Sequence, residues 1–242
     1  MTPPALATEH LTKTYGGVAA VDELDFEVEP GRLVGIIGPN GAGKTTLLNL
    51  VSGVLRPTRG RVVVGGTDVT GWRADRMVTR ARVVRTFQTV RLFSSMTVQD
   101  HVAVTEGVRA RSRRARAAAE AVLERVGLSE HRRHLAAELS YGLQRRVELA
   151  RALATDPAIL LLDEPAAGLN ATERAELGEL LSTLAGSGLS IVLIEHHLDL
   201  VRAVSQDLLV MDFGRKVLFG PVTEALADPR VAEIYTGIKE PR

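Results

Sequence analysis

The rhythm of apolar and polar positions changes several times along the chain. Leu24, Phe26 and Val28 alternate with Asp25, Glu27 and Glu29, the period of two expected of a strand with one buried face. Pro30 and Gly31 mark a turn. Leu33–Ile37 then runs almost wholly apolar, as in a strand covered on both faces. A glycine-rich stretch leads into a helix over Lys44–Val51, a turn over 56–60 and a strand over 61–64. Residues 97–138 are rich in Ala, Arg and Glu with almost no strand signal, and they read as a helical insertion. Beyond Leu139 the pattern predicts a helix over 143–154, a buried strand over 158–162 and a helix over 172–185. A second buried strand follows at Ser190–Ile194, then short strands near 208–211 and 216–219 and a small terminal helix. Strands alternating with helices point to a mostly parallel, layered sheet. No internal repeat or low-complexity linker interrupts the series.

Composition narrows the class without naming a chemistry. The 242 residues are 45% hydrophobic and 24% charged, which is ordinary for a globular chain and excludes disordered and fibrous classes. The length fits one α/β domain with an insertion. Thirty Lys and Arg against 29 Asp and Glu leave a net charge of +1, unlike a dedicated nucleic-acid coat protein. There are no cysteines, so disulfides, thiolate metal sites and cysteine nucleophiles are excluded. The first ten residues lack a basic-then-apolar signal pattern. Clean apolar runs reach about five residues against the roughly 20 that a membrane span requires, so any membrane role is expected to come through a partner.

Gly38-Pro39-Asn40-Gly41-Ala42-Gly43-Lys44-Thr45 satisfies the phosphate-loop pattern G-x-x-x-x-G-K-[ST], between a buried strand and a helix as that motif requires. Glycines let backbone N–H groups approach phosphate oxygens, and the helix N-terminus adds partial positive charge. Lys44 can reach the β- and γ-phosphates, and the Thr45 hydroxyl can ligate Mg²⁺. The buried strand at 158–162 runs into Asp163 and Glu164. Ligands meet an open α/β sheet at such strand ends, so Asp163 is placed to hold Mg²⁺ through water and Glu164 to polarise an attacking water.

Leu139-Ser140-Tyr141-Gly142-Leu143-Gln144-Arg145-Arg146 precedes a helix. Ser140 reads as its N-cap, with Gly142 close by at a helix N-terminus able to receive an anion. This segment resembles the L-S-G-G-Q signature of ABC transporter ATPases. With the phosphate loop and the Asp163–Glu164 pair, in that order, the resemblance spans essentially the whole chain. It implies an α/β P-loop NTPase fold with a RecA-like core, an antiparallel β subdomain and an inserted helical subdomain. The whole of 1–242 is then one ATPase domain, with the core at 1–88 and 140–242 and the helical subdomain at 89–139.

The resemblance also implies roles. Tyr15 matches the aromatic that stacks on adenine, with Ala20 nearby in the nucleotide site. Gly38, Pro39, Asn40, Gly41, Ala42, Gly43, Lys44, Thr45 and Thr46 match the phosphate cradle. Gln88 matches the glutamine that touches Mg²⁺ and the attacking water and couples to the helical insertion. His196 matches the switch histidine at the γ-phosphate, with His197 its nearest rival. Ser140 and Gly142 match the signature groups that face phosphate, and 167–170 matches the loop that crosses to a second subunit. Tyr141 and Leu143 depart from the commonest glycine and glutamine of the signature, and Asn170 from the commonest aspartate of the crossing loop.

The resemblance further implies ATP and Mg²⁺ as cofactors and a head-to-tail dimer with an identical or related ATPase subunit. In such a dimer the signature of one subunit closes on ATP held by the other. It implies integral-membrane permease partners, indirect work with a periplasmic or extracellular solute-binding protein, a peripheral place on the cytoplasmic membrane face, and no nucleic acid.

Several stretches are similar to the ATPase subunits of branched-chain amino-acid importers: 85–88, 90–93, 96–98, 144–148, 164–170, and a tail at 228–231 and 234–237. Urea and amide importers and lipopolysaccharide-export ATPases look much alike there. A soluble ABC-type ATPase acting on DNA or ribosomes, and a non-catalytic nucleotide-binding module, are the rival classes. Arginines at 109, 111, 113, 114 and 116, and a looser set at 73, 76, 80, 82, 85 and 91, read as solvated helix faces, or else as contacts to anionic lipid or a permease loop. His131 and His134 read as surface residues.

Overall fold

The structure, a computed structural model, describes residues 2–86, 91–106 and 113–236. Two sheets lie at its centre. β1 (Leu6–Tyr15) pairs antiparallel with β2 (Val18–Val28) on one side and with β4 (Arg59–Val64) on the other. The short β5 (Thr67–Asp68) closes that sheet, in the order β2-β1-β4-β5. β3 (Leu33–Ile37) leaves it to enter a second sheet, built with β6 (Val83–Arg85), β7 (Ile159–Asp163), β8 (Ser190–Ile194), β9 (Asp207–Asp212) and β10 (Arg215–Pro221). Its order is β10-β9-β3-β8-β7-β6, all parallel but for the antiparallel edge β10. Every residue of β3, β7 and β8 is buried, which is why these three strands read as almost wholly apolar runs.

The helices cover the second sheet. α1 (Lys44–Val51) follows β3, and α2 (Ala74–Ala81) precedes β6. α3 (Val98–Ala103) and α4 (Arg113–Arg125) occupy the insertion. α5 (Tyr141–Leu153), α6 (Ala171–Gly186) and α7 (Leu198–Val204) alternate with β7 and β8. α8 (Val222–Ala227) and α9 (Pro229–Thr236) close the described chain.

Strand alternation divides the interior into two main cores. Ile36, Leu161, Val192 and Leu209 point toward α1 and the antiparallel sheet, where they meet Leu6, Phe26 and Leu47. Leu160, Leu162, Ile191 and Leu193 point the other way, and that core continues without a break through Val147 of α5 to Val98, Val102 and Leu123 of the insertion. A third cluster joins Ile37, Leu208 and Val210 to α8 and α9.

The expected layered architecture is present, and β3, α1 and β8 fall where the pattern placed them. β1, β5, α2, β6 and α7 are additions. β1 escaped because its register shifts three times against β2: each irregularity resets the alternation that would announce a strand. β6 is three residues long, too short to carry a period.

Candidate active site

The loop between β3 and α1 is squeezed from two sides. A Cβ on Gly38, at φ 153°, would lie 2.2 Å from the Met211 carbonyl oxygen, and one on Gly43, at φ 95°, would lie 2.1 Å from that of Ala20. Both positions therefore require glycine. That contact also brings Ala20, half-buried in β2, against the loop. The loop is tied further by the Gly214 N–H, which donates to the Ala42 carbonyl at 3.0 Å. Lys44 opens α1 and is 6% exposed; its ammonium donates to the carbonyls of Gly38 at 2.6 Å and Pro39 at 2.9 Å. Burial lowers its pKa, against the opposing fields of Glu164 and Asp163. Thr45 is exposed and Thr46 half-buried. Tyr15 ends β1 half-exposed, with the Lys13 ammonium 5.2 Å from its ring centre.

The two acids at the end of β7 diverge. Asp163 continues the strand and points inward, where its Oδ2 accepts from Arg85 Nη2 at 2.7 Å; both side chains are 7% exposed. Arg85 also donates to Asn49 Oδ1 of α1, so one guanidinium joins β6, β7 and the phosphate-loop helix. This corrects the grouping of Arg85 with a solvated or lipid-facing basic set. A buried guanidinium needs a carboxylate, and the strand end supplies one. Glu164 adopts φ 49°, a left-handed conformation costing a non-glycine residue about 1–2 kcal/mol, of the kind that concentrates at functional sites. Its N–H donates to the Ile194 carbonyl at 2.9 Å, and the turn sends its carboxylate away from Asp163 to His196, Oε1 to Nε2 2.6 Å.

His196 and His197 follow β8 and separate in the same manner. His196 reaches Glu164, whereas His197 Nδ1 is held 3.0 Å from Oε2 of Glu195. That partition favours His196 over His197 as the group facing the reacting centre. Gln88 lies outside the described residues.

Ser140 caps α5, its hydroxyl accepting from the Leu143 N–H at 3.4 Å. Gly142 is buried against Glu173 of α6: a Cβ there would lie 2.7 Å from Glu173 Oε1. Tyr141 packs its ring edge on Gly168, 3.0 Å from where a Cβ would stand, with the Arg145 guanidinium 5.3 Å from its ring centre. The departure at 141 thus joins the start of α5 to the loop after β7. Asn170 caps α6, its Oδ1 accepting from the Glu173 N–H at 3.0 Å while Glu173 Oε2 accepts from the Asn170 N–H at 3.1 Å. This capping box asks only for a short side-chain oxygen, which asparagine and aspartate supply equally.

The arrangement groups Lys44, Asp163, Glu164 and His196 around one corner of the sheet. Ser140 and Gly142 instead sit among Leu169, Glu173 and Glu176. Arg85 and Glu195 were missed as site residues. For Glu195 a signal existed: an acid at the end of a buried, almost wholly apolar strand, as with Asp163.

Comparison with known proteins follows the same lines. The family model described as ABC transporter matches residues 21–167. The chain is 39% identical over 254 aligned positions to the high-affinity branched-chain amino acid transport ATP-binding protein LivG of Escherichia coli K12, covering 98% of this chain and 99% of that one. Among solved structures, the ADP conformation of an ATP-binding cassette of an ABC transporter superposes with TM-score 0.90 at 32% identity, covering 98% of this chain and all of that chain. A dimeric ATP-binding cassette in a post-hydrolysis state, bound to ADP and Pi, superposes with TM-score 0.78 at 26% identity, covering 90% and 98%.

Proposed function

Because this chain belongs to the ABC transporter family, as an ATP-binding and ATP-hydrolysing subunit, we propose that it powers the import of branched-chain amino acids or a related small polar solute. The observation that carries this reading is likeness from end to end to a branched-chain amino acid transport ATP-binding protein. Import of urea or amides, and lipopolysaccharide-type export, are the alternatives within the family.

The chemistry is hydrolysis of ATP to ADP and phosphate. Lys44 and the N–H groups of 40–46 bind the phosphates in a cradle rigid enough to stabilise developing charge. Tyr15 offers a flat, half-exposed ring for adenine. Glu164 takes the proton of the attacking water, and His196, within hydrogen-bond reach of it, orients that carboxylate and the γ-phosphate. The exposed Thr45 hydroxyl and the Asp163 carboxylate are hard oxygen donors that suit Mg²⁺, and would hold it with Gln88. Such an ion neutralises phosphate charge.

The separate surroundings of the Ser140–Gly142 segment support a composite site, completed in a head-to-tail dimer by a second identical or related subunit. On this reading the helical insertion carries motion from the ATPase core to the permease subunits, on the cytoplasmic membrane face. A solute-binding protein acts on the far side. No helix among the described residues is long and apolar enough to cross a membrane.

Glu164→Gln tests the reading. We expect ATP binding to persist while hydrolysis falls at least about 100-fold, within general-base magnitudes; normal turnover would remove the role of Glu164. The same tagged variant, held closed with ATP in its native cell and extracted in mild detergent, is expected to bring down multi-span permease subunits. Recovery of ribosomal or DNA-bound proteins without membrane proteins would overturn the transport reading.

A further inference from the structure

Glu195 follows the last residue of β8, and its side chain is 1% exposed. Withdrawing a carboxylate from water is costly unless its lone pairs are satisfied. Here each oxygen serves a different loop. Oε1 accepts from the Ala166 N–H at 2.7 Å, two residues beyond Glu164. Oε2 accepts from the His196 N–H at 3.1 Å, the His197 N–H at 3.4 Å and His197 Nδ1 at 3.0 Å. One buried carboxylate therefore joins the loops that carry Glu164 and His196, whose side chains meet at 2.6 Å.

We propose that Glu195 is a positioning residue for ATP hydrolysis: its carboxylate bridges the Ala166 amide and the His196–His197 amides, and so holds Glu164 and His196 in register. The proposal rests on the roles read above for Glu164 and His196. Two features favour positioning over simple core filling. An apolar residue would fill the space without the cost of burying charge. Moreover, only an acceptor at both ends satisfies donors on both sides. A glutamine of the same shape turns its NH₂ toward one of these N–H groups and loses that half of the bridge. The bond to His197 Nδ1 also keeps that ring off Glu164, leaving the place to His196.

The test is a double-mutant cycle on the full chain, at concentrations where the wild type hydrolyses ATP. Turnover is followed by release of labelled γ-phosphate, alongside ATP affinity and the thermal melt. We expect Glu195→Gln to lower kcat at least about tenfold while KM and ATP affinity stay within about threefold. In a His196→Ala background the same substitution should cost less than about twofold, because the Glu164–His196 pair that it holds in register is already broken. An unchanged kcat, an equal loss in both backgrounds, or a parallel loss of ATP affinity would overturn the proposal. Should Glu195→Gln fail to fold, His197→Ala, at a half-exposed position, removes one partner of Oε2. It should lower kcat about threefold with His196 present and not in its absence; equal losses would overturn the proposal. Wild-type turnover in both Glu164→Gln and His196→Ala would instead remove the underlying reading of the site. Loss in those two with none in Glu195→Gln removes only the role of Glu195.

Discussion

Gly43 and Gly41 stand two residues apart in the phosphate loop, both in left-handed backbone, yet they carry different constraints. A Cβ at Gly43 would strike the Ala20 carbonyl, whereas Gly41 has no heavy atom within 4 Å of its Cβ position. Gly43→Ala therefore meets both a conformational cost and a backbone clash. It is expected to destabilise by about 2 kcal/mol or more, a fall of about 4–8 °C in melting temperature for a chain this long, and to weaken nucleotide binding at least about tenfold. Gly41→Ala should cost about 1 kcal/mol and retain most affinity. Thermal melts with nucleotide titration separate the two, and equal effects would mean that the Ala20 contact is not what constrains the loop. At this scale the sequence was informative where chemistry sits in a contiguous pattern: Lys44, Asp163, Glu164 and His196 come together in space much as their motifs require. It was silent where function depends on a partner far along the chain. Nothing local to Arg85 says that its charge turns inward to Asp163, and nothing local to Glu195 says that Ala166 will meet it.

Among the elements, α3 shows how a buried ring adds a condition that the helix pattern alone does not reveal. His101 accepts the Phe93 N–H on Nε2 at 2.8 Å, so its proton sits on Nδ1, which donates to the Thr97 carbonyl at 2.9 Å. Burial lowers its pKa; the Thr97 carbonyl and Asp100 oppose that shift, while the positive field of Arg151 adds to it. A histidine whose folded pKa is depressed contributes stability above its ordinary value near 6.5 and loses it as pH falls through the lowered one. Protection of the Phe93 amide against hydrogen exchange, corrected for the intrinsic rate, should be level above about pH 6.5 and fall below it. A level profile down to pH 5 would show that His101 does not hold this segment. Element legibility followed regularity of burial. β3 and β8 are covered at every residue and read clearly, whereas the register breaks of β1 and the brevity of β6 left too little period to find. The insertion read as helical, but its shared core with β7 and β8 depends on long-range packing that no local window contains.

The whole chain presents Lys44 and the Ser140–Gly142 segment in different surroundings, and the composite-site reading makes a statement about mass. With ATP, the Glu164→Gln chain should sediment at about twice its 26.1 kDa, and without nucleotide as the single chain. A monomer under both conditions would count against completion of the site by a second subunit. The strand order has a consequence of another kind, in time. β1, β2 and β4 find all their mutual partners within the first 64 residues, but β3 lies between β8 and β9, and the last of those ends at Asp212. At ribosomal speeds of about 5–20 residues per second, roughly 10–35 s separate the appearance of β3 from that of its neighbours. During that interval an almost wholly apolar strand carries two unpaired edges, the condition that invites association with other chains. The phosphate loop, anchored on β3 and on Met211, cannot take shape on the ribosome until most of the protein has been made. A nascent chain halted before β8, which begins at Ser190, would keep the antiparallel sheet but lack both neighbours of β3 and the Met211 carbonyl, and so have no nucleotide site to stabilise it.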